Sequence, residues 1–172
     1  MNLIDEIETE TWHILLRIYT HQRMVASLTG SATRYELANK LVALSALREL
    51  LIVQIARLAD KRRDARSVDM LLKRGEFPGA VAAVKEAVDA FRTLAEPVVR
   101  IRHEQVAHMK PGIVSSSEPR ELPTEALLAT KALLRLVDIA RGATIGYSFK
   151  VGSVEVVIDL RASVAAGEMV AV

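Results

Sequence analysis

Long apolar-periodic stretches, each stopped by glycine or proline, constrain this chain more than any other feature. From about Leu3 to Leu28, Ile4, Ile7, Thr11, Ile14 and Ile18 recur at three- and four-residue spacing. Glu6, Glu8, Glu10 and Arg17 fall off that stripe, and Gly30-Ser31 follows. Such spacing puts the apolar groups on one face of an α-helix. A second helix is expected from about Thr33 to Lys61, with Ser31 or Thr33 as its N-cap and Leu44, Leu47, Leu51 and Leu58 on its buried side. Ser67 should cap a short helix over Val68 to Lys73, closed by Gly75 and Pro78-Gly79.

The next helix begins near Ala80 and carries Val81, Val84, Val88 and Phe91 at helical spacing. Pro97 should start a new segment or kink the old one, because it lacks an N–H and crowds the preceding turn. The helix then resumes from Val98 to about Met109 and stops at Pro111-Gly112. Ser115-Ser116-Ser117-Glu118-Pro119 reads as a loop. Thr124 should cap a helix of about twenty residues, built on Leu127, Leu128, Leu133, Leu134, Leu136 and Ile139.

After that the period changes to two. Tyr147, Phe149 and Val151 alternate before Gly152-Ser153, and Val154, Val156, Ile158 and Leu160 alternate after it. The pattern predicts a β-hairpin with a type II′ turn. An isolated hairpin is marginal, so it should pack on the helices or on a second chain. The expected fold is therefore all-α: an antiparallel bundle of four to five helices over residues 1–146, with a C-terminal β-hairpin and tail over 147–172 in the same domain.

Composition narrows the functional classes. The 172 residues suit one domain, and 23 basic against 21 acidic residues leave a net charge of only +2. Contact with nucleic acid would thus depend on a local cluster. No cysteine is present, which removes disulfide scaffolds and thiolate metal sites. The N-terminus is acidic where a secretory signal is basic. Leu41 to Ala59, the most apolar stretch, contains Arg48, Glu49, Gln54 and Arg57, too much polarity for an easy membrane span. These features predict a cytoplasmic protein with no membrane contact.

The stretch Arg102-His103-Glu104-Gln105-Val106-Ala107-His108 carries the chemistry. In α-helical projection Arg102 shares a face with Val98, Val99 and Val106, so a permanent charge stands in an apolar stripe. Burying it unpaired costs several kcal/mol by a rough estimate. It can pair with Asp60 or Glu104, extend its head to the helix flank, or face a cleft that receives an anion. His108 lies one turn after Glu104, which can orient its ring. His103 projects to another side, so the two histidines do not form an i, i+4 metal pair, and no metal or other cofactor is expected. Arg57, Lys61, Arg62, Arg63 and Arg66 form a second basic cluster, either a solvated loop balanced by Asp60 and Asp64 or the rim of a phosphate-binding cleft. Trp12 and Tyr19, seven residues apart, read as core or seam residues.

This stretch resembles the signature of HEPN domains, the nucleotide-binding helical bundles of toxin–antitoxin and abortive-infection systems. Its Val106-Ala107-His108 ending is similar to the AbiU-like branch. A second block, Ala56-Arg57-Leu58-Ala59-Asp60-Lys61 followed by Ser67-Val68-Asp69-Met70-Leu71-Leu72, resembles that branch as well. The resemblance spans roughly residues 5 to 145. It implies a homodimer that brings two copies of the motif together across a cleft, and metal-independent cleavage of RNA. In that reading Arg102 stabilises the charge gathering on the phosphorane oxygens, and His108 is the acid/base. His103 positions phosphate or ribose, while Arg57 and Lys110 contribute phosphate contacts. An antitoxin or nucleotidyltransferase partner is implied too. Two departures stand out. Met109-Lys110 occupies the place where related members carry an acidic residue. The tyrosine that a nucleotidyltransferase modifies in some members is absent.

Overall fold

A computed structural model describes residues 2–28, 33–62, 66–107, 119, 121–150 and 157–166. Within them the chain is an all-α bundle with a small antiparallel hairpin near its C-terminus. The helices are α1 (Leu3–Ala26), α2 (Arg34–Leu58), α3 (Val68–Arg74), α4 (Val81–Ile101), α5 (Thr124–Arg141) and α6 (Leu160–Ala166). A π-helical turn, Arg102–Ala107, continues α4, and the strands are β1 (Ser148–Lys150) and β2 (Val157–Asp159).

Local chemistry sets most of the helix ends. Thr33 caps α2 reciprocally: its hydroxyl accepts from the Glu36 N–H at 3.3 Å, and its own N–H donates to the Glu36 carboxylate at 2.8 Å. Ser67 accepts from the Met70 N–H and starts α3. Gly142, at φ 67°, closes α5 in the left-handed conformation that glycine adopts without strain. Gly79 serves a different need. Its N–H donates to the Ala140 carbonyl at 3.1 Å, and a β-carbon there would lie 2.1 Å from the Ile139 oxygen. Only glycine lets the start of α4 approach the end of α5 this closely.

The core holds most of the expected stripes, although Val81 and Leu128 are exposed and Leu127 and Ile139 only half-buried. Ile4, Ile7, Ile14 and Ile18 of α1 pack with Leu51, Ile52, Ile55 and Leu58 of α2, Val84, Val88, Phe91 and Val98 of α4, and Leu133 and Leu136 of α5, all buried. A second cluster joins Leu15 and Tyr19 of α1 and Leu134 of α5 to Tyr147, Ile158 and Leu160, with Trp12 and Phe149 against it. The hairpin thus packs on the bundle, and Trp12 Nε1–H donates to the Ser148 carbonyl at 2.9 Å.

Several expectations need adjustment. Helix α4 runs through Pro97 without ending, and the change of helix type comes five residues later, at Arg102. Leu47 is only half-buried. Thr124 is the first helical residue of α5, not its cap; that position belongs to Pro123. In the hairpin, Phe149 pairs with Ile158 and Lys150 with Val157, whereas a two-residue turn at Gly152-Ser153 would set Lys150 against Glu155. A two-residue shift keeps every side chain on its own face. The Leu160 N–H, bonded to the Tyr147 carbonyl at 2.9 Å, anchors this register and begins α6 where a longer strand was expected. The turn itself, and the serine-rich loop apart from Pro119, lie outside the described residues.

Candidate functional site

The C-terminal end of α2, one flank of α4 and the π-helical turn enclose a cleft of about 950 Å³. Helix α2 contributes Ala56, and beyond its last turn come Ala59, Asp60, Lys61 and Arg62. Helix α4 contributes Asp89, Arg92, Thr93, Glu96 and Val99, and the π-helical turn contributes Arg102 and His103. The flank of α4 follows from periodicity. Val84, Val88, Phe91, Ala95 and Val98 are buried, so positions 89, 92, 93 and 96 face away from that stripe and toward the cleft.

Arg102 is half-buried and lines the cleft, while His103 is exposed at its edge. Arg102 continues the apolar series Phe91, Ala95, Val98 by one further turn. A π-helix bonds i to i+5, which moves residues beyond Arg102 off their α-helical projection. π-Helical turns recur at functional sites, where they re-aim side chains.

Asp60 links the two walls. Its carboxylate accepts from the Arg62 backbone N–H at 2.9 Å and from Arg62 Nε at 2.8 Å. Burial pushes the Asp60 carboxyl upward. The backbone and side-chain hydrogen bonds from Arg62, with the charges of Arg62 and Arg102, outweigh that and hold it below its ordinary value. Arg102 therefore acts on Asp60 through its field; among the described residues no hydrogen bond or ion pair joins them.

The basic cluster read from the sequence divides. Arg66 turns toward α1, where it pairs with Glu6 at 2.6 Å and Glu10 at 3.3 Å. Lys61 and Arg62 line the cleft, and Arg57 is exposed but not part of the lining. Arg63, His108 and Lys110 lie outside the described residues. Sequence reasoning missed the cleft residues Asp89, Thr93, Glu96 and, the most connected of them, Arg92. Its guanidinium reaches Asp69 of α3 at 3.2 Å and Asp89 at 3.8 Å, and its buried Nε has no hydrogen-bond partner among the described residues. The polar series Asp89, Arg92, Glu96 at three- and four-residue spacing was the available signal.

The cleft is thus mixed in sign: Lys61, Arg62, Arg92 and Arg102 face Asp60, Asp89 and Glu96. Among the described residues, no group of three or more His, Asp or Glu side chains stands close enough to hold a metal ion. No described helix is long and apolar enough to cross a membrane. No family model, curated protein or solved structure matches the chain.

Proposed function

We propose that this cleft binds RNA and cleaves it without a metal ion, as the resemblance to HEPN domains implies. One observation carries the reading. The two blocks singled out in the sequence, Ala56–Lys61 and the stretch beginning at Arg102, are some forty residues apart, yet their members Ala56, Ala59, Asp60, Lys61, Arg102 and His103 wall a single cleft.

The chemistry assigns each group a task. The planar fork of Arg102 neutralises charge on the non-bridging oxygens as the 2′-oxygen attacks phosphorus. His108 takes the 2′-OH proton and returns it to the leaving 5′-oxygen, work suited to an imidazole, which can both accept and donate a proton. His103 and Lys61 contact the phosphate or ribose on either side, and Arg57 and Lys110 extend that contact outward. The biological setting implied by the resemblance is a defence or toxin–antitoxin system, with an antitoxin or nucleotidyltransferase as partner.

The test is cleavage of a mixed-sequence RNA in EDTA by the purified chain. Arg102→Ala and His108→Ala should each lower the rate by about a hundredfold or more, with an unchanged helical circular-dichroism spectrum. RNA that binds the wild type but is not cut identifies instead a non-catalytic nucleotide-binding module.

A further inference from the structure

Beside the cleft lies a second, smaller cavity of about 230 Å³. Arg62 lines both spaces. The other walls of the small cavity are Asp69, Met70, Lys73 and Arg74, all from α3. Asp69 joins the two spaces. Its carboxylate accepts from Lys73, which lines the small cavity, at 2.8 Å, and from Arg92, which lines the cleft, at 3.2 Å.

The two spaces differ in charge. In the cleft, Lys61, Arg62, Arg92 and Arg102 face three carboxylates, so the signs nearly balance. In the small cavity, Arg62, Lys73 and Arg74 face Asp69 alone among the described residues, and Asp69 is shared with Arg92. Cations in the last turn of a helix suit its dipole, which accounts for Lys73 and Arg74. It does not account for Arg62, which comes from beyond the end of α2 to the same space. Asp60 holds Arg62 through Nε and the backbone N–H, which leaves its terminal guanidinium nitrogens, among the described residues, to another acceptor. A surplus of this kind around a small space favours an anion.

We infer that the small cavity at α3 is a second phosphate subsite, which takes a flanking phosphate of the RNA strand that lies in the cleft. An RNA strand carries a phosphate at every step, so a strand with one phosphate at Arg102 must lay its neighbours along the adjoining surface. Arg62 passes between the two positions, and Lys73 and Arg74 hold the outer phosphate. Contacts of this type position a strand and carry no base sequence. The inference rests on the cleft being an RNA site, and it adds that the substrate is a strand several nucleotides long.

The probe is RNA with 2′-O-methyl riboses, which lacks the attacking hydroxyl and so reports binding without cleavage. Fluorescence anisotropy is read for a dinucleotide and an octanucleotide. Lys73→Gln with Arg74→Gln should weaken octanucleotide binding by about tenfold or more and flatten the slope of log affinity against log salt by about one, with dinucleotide binding unchanged. Removing the same charge from the exposed Lys131 and Arg135 of α5, by Lys131→Gln with Arg135→Gln, should change neither. Equal octanucleotide affinity in wild type and in the α3 variant overturns the subsite while the cleft reading stands. So does equal weakening by both double variants, which would reduce the effect to net charge. A wild type that binds neither oligonucleotide overturns the cleft reading and the subsite together. Selective loss of octanucleotide binding in a chain that does not cut RNA in EDTA keeps the subsite and overturns only cleavage.

Discussion

At the scale of single residues, charge and burial oppose each other in several places, and the outcome depends on which neighbours are present. Asp60 keeps a lowered pKa although burial works against it, because Arg62 bonds it twice and Arg102 adds its field. His21 shows the reverse. It is 2% exposed, and burial pushes its imidazole below the ordinary value; the hydrogen bond from Nε2 to the Pro119 carbonyl at 2.8 Å resists this, and the charge of Arg48 adds to it. A histidine depressed in the folded state stays neutral there while the unfolded chain takes up a proton. Its contribution is therefore complete above about pH 6.5 and is lost as pH falls from there through the folded pKa. Thermal melts at pH 7.5 and pH 5 should show a drop in Tm for the wild type that His21→Leu makes smaller. An equal drop in both proteins would assign the acid sensitivity to other groups.

At the scale of elements, helix identity was legible in the sequence because the apolar stripes are long and regular. Ile4 to Ile18, and Val84 to Phe91, predict the faces that the core buries. Less legible were the places where one element changes into another. Pro97 looks like a break, yet α4 passes through it at the cost of one backbone donor. The change to π-helix at Arg102 has no single-residue signal. The site was legible in part for the same reason. Arg102 and His103 stood out as charged and titratable groups after an apolar run. Arg92 did not, since a polar residue on the outer face of an amphipathic helix usually meets only solvent, and the packing of the α2 terminus turns that face into a wall. Because Pro97 cannot donate to the Thr93 carbonyl, Pro97→Ala should restore a helical bond and stabilise the protein by about 1–3 kcal/mol. Urea denaturation checks this: a raised midpoint with unchanged slope is expected, and an unchanged or lowered midpoint contradicts it.

At the scale of the whole molecule, the hairpin and α6 close over the bundle through an ion pair as well as through apolar packing. Asp138 of α5 accepts from Arg161 of α6 at 2.9 and 2.6 Å and from the Ile145 N–H at 2.9 Å, and Arg161 also donates to the Ile145 carbonyl at 3.1 Å. Both side chains are largely shielded, so the pair is more than a surface contact. Asp138→Ala strands Arg161 and the Ile145 N–H together and should cost about 2–3 kcal/mol; a thermal or urea melt with no loss would show that apolar packing alone holds the C-terminal unit. Arg141 ties the far end of α5 to Asp5 and Glu8 of α1 in the same way, at 2.6 Å each. The two walls of the cleft are held by the apolar core that α2 and α4 share with α1 and α5. The rate of RNA cleavage in EDTA by wild type and by Arg102→Ala decides whether that cleft is a ribonuclease site. Metal-independent cleavage by the wild type is expected, with its loss in an Arg102→Ala variant that melts as a folded protein. Cleavage of undiminished rate by folded Arg102→Ala would contradict that assignment.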